Sequence, residues 1–168
     1  MLPCPLNFVM MDEPSYQRNM FIRKDITVTA EAMWNKSGLK GEYDAWSFGD
    51  DADLLAKLVK DGIKTATCSA RCFYEMEGEP LPETGTYSII LDSGDEAVCI
   101  IKTTKVYLAP FNRVTAEHAF REGEGDRSLA YWRDTHKRFF TEELEAENLE
   151  FSEDLELVCE EFEVVYSE

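Results

Sequence analysis

The stretch GTYSIILDSGDEAVCIIKTTKVYL, residues 85–108, constrains the fold more than any other part of the chain. Two runs rich in Ile, Val, Thr and Tyr flank a Ser-Gly turn, which is the composition of two strands joined by a tight reversal. A β-hairpin is expected there. Helical patterns surround it. TVTAEAMWNK predicts a short helix capped by Thr27 or Thr29, with Met33 and Trp34 turned inward. FGDDADLLAKLVKDG predicts a helix capped by Asp50 or Asp51, with Leu54, Leu55, Leu58 and Val59 as its apolar stripe and Gly62 as its stop. Thr115 caps a third helix that ends at Gly123. Ser128 opens a fourth, whose inward residues are Leu129, Trp132, His136 and Phe139 or Phe140. The final LELVCEEFEVVY is β-rich but carries Glu on both alternating faces, so a bulge or an edge position is expected. Strands and helices alternate without a βαβ rhythm, which favours an α+β fold with a small mixed or barrel-like sheet.

A chain of 168 residues, 44% hydrophobic and 12% aromatic, is long enough to bury one core. The expected organisation is an N-terminal arm over residues 1–25, where no period is visible, and a single domain over 26–168. No apolar run is long enough to span a bilayer, and the N-terminal MLPCPLNFVMMDEP lacks both a basic segment and a continuous apolar one. The expected location is cytoplasmic, with no membrane partner. The cysteines Cys4, Cys68, Cys72, Cys99 and Cys159 are odd in number and scattered, which suggests reduced thiols. Cys68 and Cys72 have no second pair beside them, so neither a metal nor another cofactor is expected.

The net charge of −17 is unevenly spread. Thr141 to Glu168 contains twelve carboxylates and no Lys or Arg, whereas Lys57 to Arg138 has twelve bases against thirteen acids. Such a field repels a phosphate backbone at long range. A nucleic-acid ligand must therefore be small or be met by a local patch.

Within that nearly neutral middle lies DGIKTATCSA, residues 61–70, where Lys64, Thr65, Thr67 and Ser69 follow directly on a helix end. The segment suits two roles: an ordinary strand behind a lysine that completes the helix dipole, or one wall of a site. Followed by the hairpin and by FNRVTAEHAFREGEGDRSLAYWRDTHKRFF, it resembles the ASCH family, whose members are similar in fold to RNA-binding PUA domains. The resemblance spans roughly Tyr43 to Tyr166, and its most specific string is EGEGD-x-SL-x-x-W. It implies a PUA-like small mixed β-barrel flanked by α-helices, with a cleft where the Lys-Thr segment faces the EGEGD loop.

One branch of that superfamily hydrolyses N4-acetylcytidine to cytidine and acetate through a glycine-x-lysine-x-x-threonine motif and a glutamate soon after a His-Ala pair. By position these are Gly62, Lys64, Thr67 and Glu122. The resemblance implies Lys64 as proton acceptor, Thr67 as nucleophile and Glu122 as proton donor. The chain is longer than those enzymes and carries the EGEGD loop and a Trp-Arg helix that they lack, which leaves the substrate open.

Amide hydrolysis needs a nucleophile, a base, a donor for the leaving amine and a group for the oxyanion. For Lys64 to act as a base near neutrality its pKa must fall from about 10.4 to about 7, roughly 4 kcal/mol. Burial favours that fall, and an ionised Glu122 beside it opposes it. Lys64 and Thr67 converge only if the chain turns or bulges between them, because residues three apart on a regular strand face opposite ways. Trp46, Phe48, Trp132 and Arg133 are candidates for stacking on and hydrogen-bonding a nucleobase, and equally for the core. Arg71 and Arg133 are candidates for holding a phosphate or ribose, with Arg133 also able to pair with the EGEGD carboxylates. Glu124, Asp126 and Ser128 are further candidates for binding substrate, and Asp126 and Ser128 equally suit a helix cap. Three functions compete: a hydrolase of a modified nucleoside or similar small amide, an RNA-binding module or ribonuclease engaging short RNA, and a non-catalytic small-ligand sensing domain. The acidic surface favours a closed pocket over an RNA track.

Overall fold

The computed structural model describes residues 28–167, and the arm expected over 1–25 lies outside them. The elements run α1 (Ala30–Ser37), β1 (Tyr43–Ser47), α2 (Ala52–Lys60), β2 (Ala66–Ala70), α3 (Arg71–Glu77), β3 (Tyr87–Leu91), β4 (Ala97–Pro110), α4 (Ala116–Glu122), α5 (Leu129–Ala146) and β5 (Glu156–Ser167). The strands form one five-stranded sheet in the order β1-β3-β4-β5-β2. β1 runs parallel to β3, and the other neighbours are antiparallel. This is the mixed α+β architecture expected, a curled half-barrel with helices against it.

The hairpin forms as read, with Asp92 Oδ1 accepting from the Gly94 and Glu96 amides to close its turn. β4 is long enough to pair with β3 near its start and with β5 from Cys99 to Pro110. Two register shifts on the β5 side, at Ile100/Ile101 and Thr103/Lys105, add the local twist that curls the sheet. The bulge expected for the last strand is therefore present, but β5 is not an edge. It lies between β4 and β2, and its glutamates find separate solutions: Glu161 pairs with Lys105 and Arg121, while Glu160 meets the Thr103 hydroxyl.

The capping residues act as their chemistry dictates: Thr29, Asp51, Thr115 and Ser128 each accept from a backbone amide of the first helical turn. The stripe on α2 is rotated from the expected one. Leu55, Ala56 and Val59 are buried and Leu54 is half exposed, because the sheet meets the helix one position further round. α3 carries no side-chain cap and follows β2 without a linker, so the sequence offers no start signal for it. Three apolar clusters result. One lies under α3, α4 and α5 around Phe111, Trp132, Phe140 and Leu157; one lies around Val59, Ile90, Ile101 and Phe162; one lies beneath α1 around Met33, Ile89 and Ile100. Among the described residues no helix is long and apolar enough to cross a membrane.

Candidate functional site

α2 ends at Asp61–Gly62, and the next residues are held by the helix itself: the Ile63 and Lys64 amides both donate to Leu58 O. The chain then joins the sheet edge, with the Thr65 amide donating to Arg121 O at the end of α4 and Thr65 O accepting from the Phe162 amide. This threads the Lys64 side chain between the sheet and the α4–α5 connection. Its Nζ donates to Glu122 Oε2 at 2.8 Å and to Glu124 Oε1 at 2.8 Å. Lys64 and Glu122 are each 1% exposed, whereas Glu124 is 18% exposed and has only Oε1 engaged among the described residues. Glu124 thus forms the solvent side of the cluster.

The loop holding Glu124 is fixed by two glycines with left-handed backbones. Gly123 (φ +77°) lies so close to Ile63 that a Cβ would sit 2.7 Å from the carbonyl oxygen, and at Gly125 (φ +54°) a Cβ would meet the Tyr131 ring at 2.3 Å. The EGEGD string is therefore a rigid bracket. Its last residue, Asp126, bonds the Ser128 amide, and Ser128 caps α5, so both are engaged in starting that helix.

The Glu122 carboxylate is the hub. Oε1 accepts from Trp132 Nε1 at 2.8 Å and from His118 Nε2 at 3.0 Å, and His136 Nε2 lies 3.5 Å from Oε2. His118 and Glu122 are four apart on α4, as Trp132 and His136 are on α5, so each pair shares one helix face. With Nε2 protonated, His118 Nδ1 accepts from the Tyr107 hydroxyl at 2.9 Å, and His136 donates Nδ1–H to Trp132 O while stacking on that indole at 4.3 Å. In the sequence, the i, i+4 spacings of His118 to Glu122 and of Trp132 to His136 are the signal for this cluster.

The electrostatics follow from this geometry. Burial would raise the Glu122 pKa, but Lys64, then His136 and the imidazole hydrogen bonds outweigh it, and the carboxyl is held well below the usual range. Burial would likewise depress Lys64, but Glu122 and then Glu124 overcome it and hold the pKa above its ordinary value. Lys64 is therefore a fixed ammonium and Glu122 a fixed carboxylate, so the proton-acceptor and proton-donor roles implied by the resemblance do not describe this resting state. Cys68 turns to the same cluster, where burial and then Glu122 push its thiol well above its usual range. It is a poor thiolate.

Cys68, His118 and Glu122, and likewise Glu122, Glu124 and His136, bring ligand-type atoms within 4.8 Å of one another. Glu122 Oε1 already receives two donors and Oε2 the Lys64 ammonium, which fills the space between Glu122 and Glu124 that a cation would take.

Thr67 is placed differently. β2 pairs with β5 without a register break, Thr67 facing Glu160 and Cys68 facing Cys159. Alternation sends Cys68 towards Glu122 and Thr67 to the other face, beside Glu160. Burial raises the Glu160 pKa to about 7, opposed only by a hydrogen bond from Thr103. The two faces meet at one ring: Phe48 lies 5.3 Å from Lys64 Nζ and also packs with Trp46 in the cluster of Phe162, which shares the Glu160 face of β5. Trp46, Phe48 and Trp132 are thus at once core and border. The two arginines are occupied elsewhere, Arg71 with Glu75 and Glu156, and Arg133 with Asn112 O at 3.4 Å. A surface hollow of about 410 Å³, lined by Asp53, Lys57, Lys60, Asp92 and Glu96 among others, shares no residue with the cluster.

Comparison with known proteins places these features in a family. The family model described as "ASCH domain" matches residues 44–166. The crystal structure of an ASCH domain from Lactobacillus crispatus JV V101 superposes with a TM-score of 0.76 at 32% identity, covering 81% of this chain and 93% of that one. An Enterococcus faecalis V583 protein of known structure superposes with a TM-score of 0.73 at 43% identity, covering 80% of this chain and 86% of that one. No curated protein matches the chain.

Proposed function

Because the chain belongs to the ASCH domain family, we propose that it is a hydrolase of an acylated nucleoside or similar small amide, of the N4-acetylcytidine type, centred on Lys64 and Glu122. The observation that carries this reading is the buried ammonium of Lys64, held at 2.8 Å by each of two carboxylates, one of which reaches solvent. A desolvated ammonium is a strong donor to a developing oxyanion. In this reading the acyl oxygen accepts the Lys64 N–H hydrogen bond that Glu124 now accepts, and Glu122 keeps the lysine charged and aimed, while Thr67, on the opposite face of β2, is too far round to be the nucleophile at that oxygen. Glu124 then offers a carboxylate to the amino edge of the substrate, and Phe48 a ring beside it.

The charge distribution supports a pocket over a nucleic-acid track. The net charge is −17, and Arg71, Lys105, Arg121 and Lys137 are each drawn into a pair with a carboxylate, a field that opposes a phosphate backbone. The test is incubation of the protein and of Lys64→Ala with N4-acetylcytidine and a panel of acylated nucleosides, with deacylation followed by chromatography. Turnover that vanishes in the folded variant is the expected result. Absence of turnover for every panel member overturns the reading in favour of short-RNA binding or ligand sensing.

A further inference from the structure

The two carboxylates on Lys64 are not equivalent, and the difference marks a ligand site. We propose that the Lys64 ammonium is a binding point for small monocarboxylates of acetate size, which the chain's own Glu124 occupies at rest and can give up. Its use in turnover rests on the amide-hydrolase reading above; the binding itself does not.

Glu122 is built in. Its Oε1 accepts from Trp132 and His118, its Oε2 accepts from Lys64, and its side chain is 1% exposed. Glu124 makes a single side-chain hydrogen bond among the described residues, from Lys64 Nζ to Oε1 at 2.8 Å, and is 18% exposed. The loop that carries it is held by Gly123 against Ile63, by Gly125 against the Tyr131 ring, and by Arg127, whose guanidinium donates to Phe120 O and Ile63 O. The Glu124 side chain is what remains to move, and a change of rotamer carries its carboxylate towards solvent.

The place it leaves has the demands of an anion site. Lys64 has three N–H donors, and Nζ is bonded to Glu122 Oε2, lies 3.5 Å from the Glu122 carbonyl oxygen, and is bonded to Glu124. With Glu124 away, a cation that is 1% exposed holds a donor without an acceptor, which is costly in an interior. An incoming carboxylate restores a charge-assisted bond. The Phe48 ring, 5.3 Å from Nζ, offers an apolar side to a short alkyl group. Beyond its Cβ, Glu124 is a methylene and a carboxylate, which is acetate less one hydrogen.

Tethering decides when the site is free. A carboxylate on the same chain competes at a high effective concentration, so Glu124 keeps dilute free acids out. In the hydrolase reading the same competition clears the site: cleavage of an acylated amine leaves a carboxylate beside Lys64, and the return of Glu124 to Nζ displaces it.

The test is thermal unfolding of the full chain in about 100 mM sodium acetate against sodium chloride of the same concentration, for wild type, Glu124→Gln, Glu124→Ala, and Glu124→Ala combined with Lys64→Met. Glu124→Ala opens the space and should gain about 3 °C or more from acetate over chloride, saturably and beyond the difference that wild type shows. Glu124→Gln keeps the space filled and the double variant lacks the cation, so neither should exceed the wild-type difference. A folded Glu124→Ala that melts alike in the two salts overturns the site, as does an equal gain in the double variant. Should Glu124→Ala not fold, Glu124→Ser leaves nearly the same space and is read in the same way. If the wild type deacylates a panel nucleoside, about 100 mM acetate should change its rate by less than about twofold, and strong inhibition overturns the displacement by Glu124. Turnover by wild type without acetate binding by Glu124→Ala removes the site and leaves the hydrolase reading; acetate binding without turnover does the reverse.

Discussion

Lys64 and Glu122 show how a buried charge pair is a liability that its neighbours make tolerable. Removing one partner leaves uncompensated charge in the interior, which typically costs about 3–5 kcal/mol, whereas removing both costs far less. Lys64→Met is therefore expected to lower stability in urea denaturation by about that amount, and Lys64→Met with Glu122→Gln to recover much of it; a double mutant as unstable as the sum of the singles would contradict the coupling. The pair also sets the pH limits. Glu122, with its folded pKa depressed, contributes stability that is present above its unfolded value of about 4.3 and lost as pH falls through the folded one. Lys64, raised, contributes stability present below about 10.4 and lost as pH rises through its folded pKa. Glu160 has the opposite sign to Glu122: its folded pKa of about 7 makes its contribution complete at pH 4 and progressively lost as pH rises through 7. Thermal melts of Glu160→Gln should show a smaller decline between about pH 5 and about pH 8 than wild type, and an identical decline would mean that Glu160 titrates normally.

At the level of elements, the bracket at 122–126 and the helix α2 make separable predictions. At Gly123 an added Cβ meets fixed backbone at Ile63, while at Gly125 it meets only a partly exposed Tyr131 ring that can swing aside. Gly123→Ala should therefore cost the more, roughly 2 kcal/mol or above from strain at positive φ plus the clash, and should also displace Glu124 from Lys64. Equal melting temperatures for the two alanine variants would show that the loop gives way. On α2, Val59→Ala should cost roughly 2 kcal/mol because the side chain is fully enclosed, and Leu54→Ala should stay within about 0.5 kcal/mol. That ranking separates the observed helix face from the one the apolar spacing alone suggests.

Over the whole molecule, a net charge of −17 means that the fold works against its own field. Raising salt from about 10 mM to about 150 mM shortens the screening length from about 30 Å to about 8 Å, so the melting temperature should rise with salt. A falling melting temperature would indicate that the surface ion pairs, not the repulsion, dominate. The same field predicts weak and strongly salt-dependent affinity for a short single-stranded RNA, measurable by fluorescence anisotropy.

The sequence by itself determined the hairpin, the caps Thr115 and Ser128, two further caps to within a pair of candidates, the stops at Gly62 and Gly123, and the family, because each rests on local spacing or on a contiguous string such as EGEGD. It also brought Lys64, Glu122 and Glu124 under suspicion together. Only the tertiary structure decided the rest. That β5 lies inside the sheet and not at its edge depends on β2 pairing across some ninety residues of chain, which no local pattern encodes. That Lys64 is a locked ammonium depends on Glu124 joining Glu122 around it, since burial alone would have driven its pKa the other way. That Thr67 looks across at Glu160 follows from a strand register in which a shift of one residue would have turned it towards Glu122 instead.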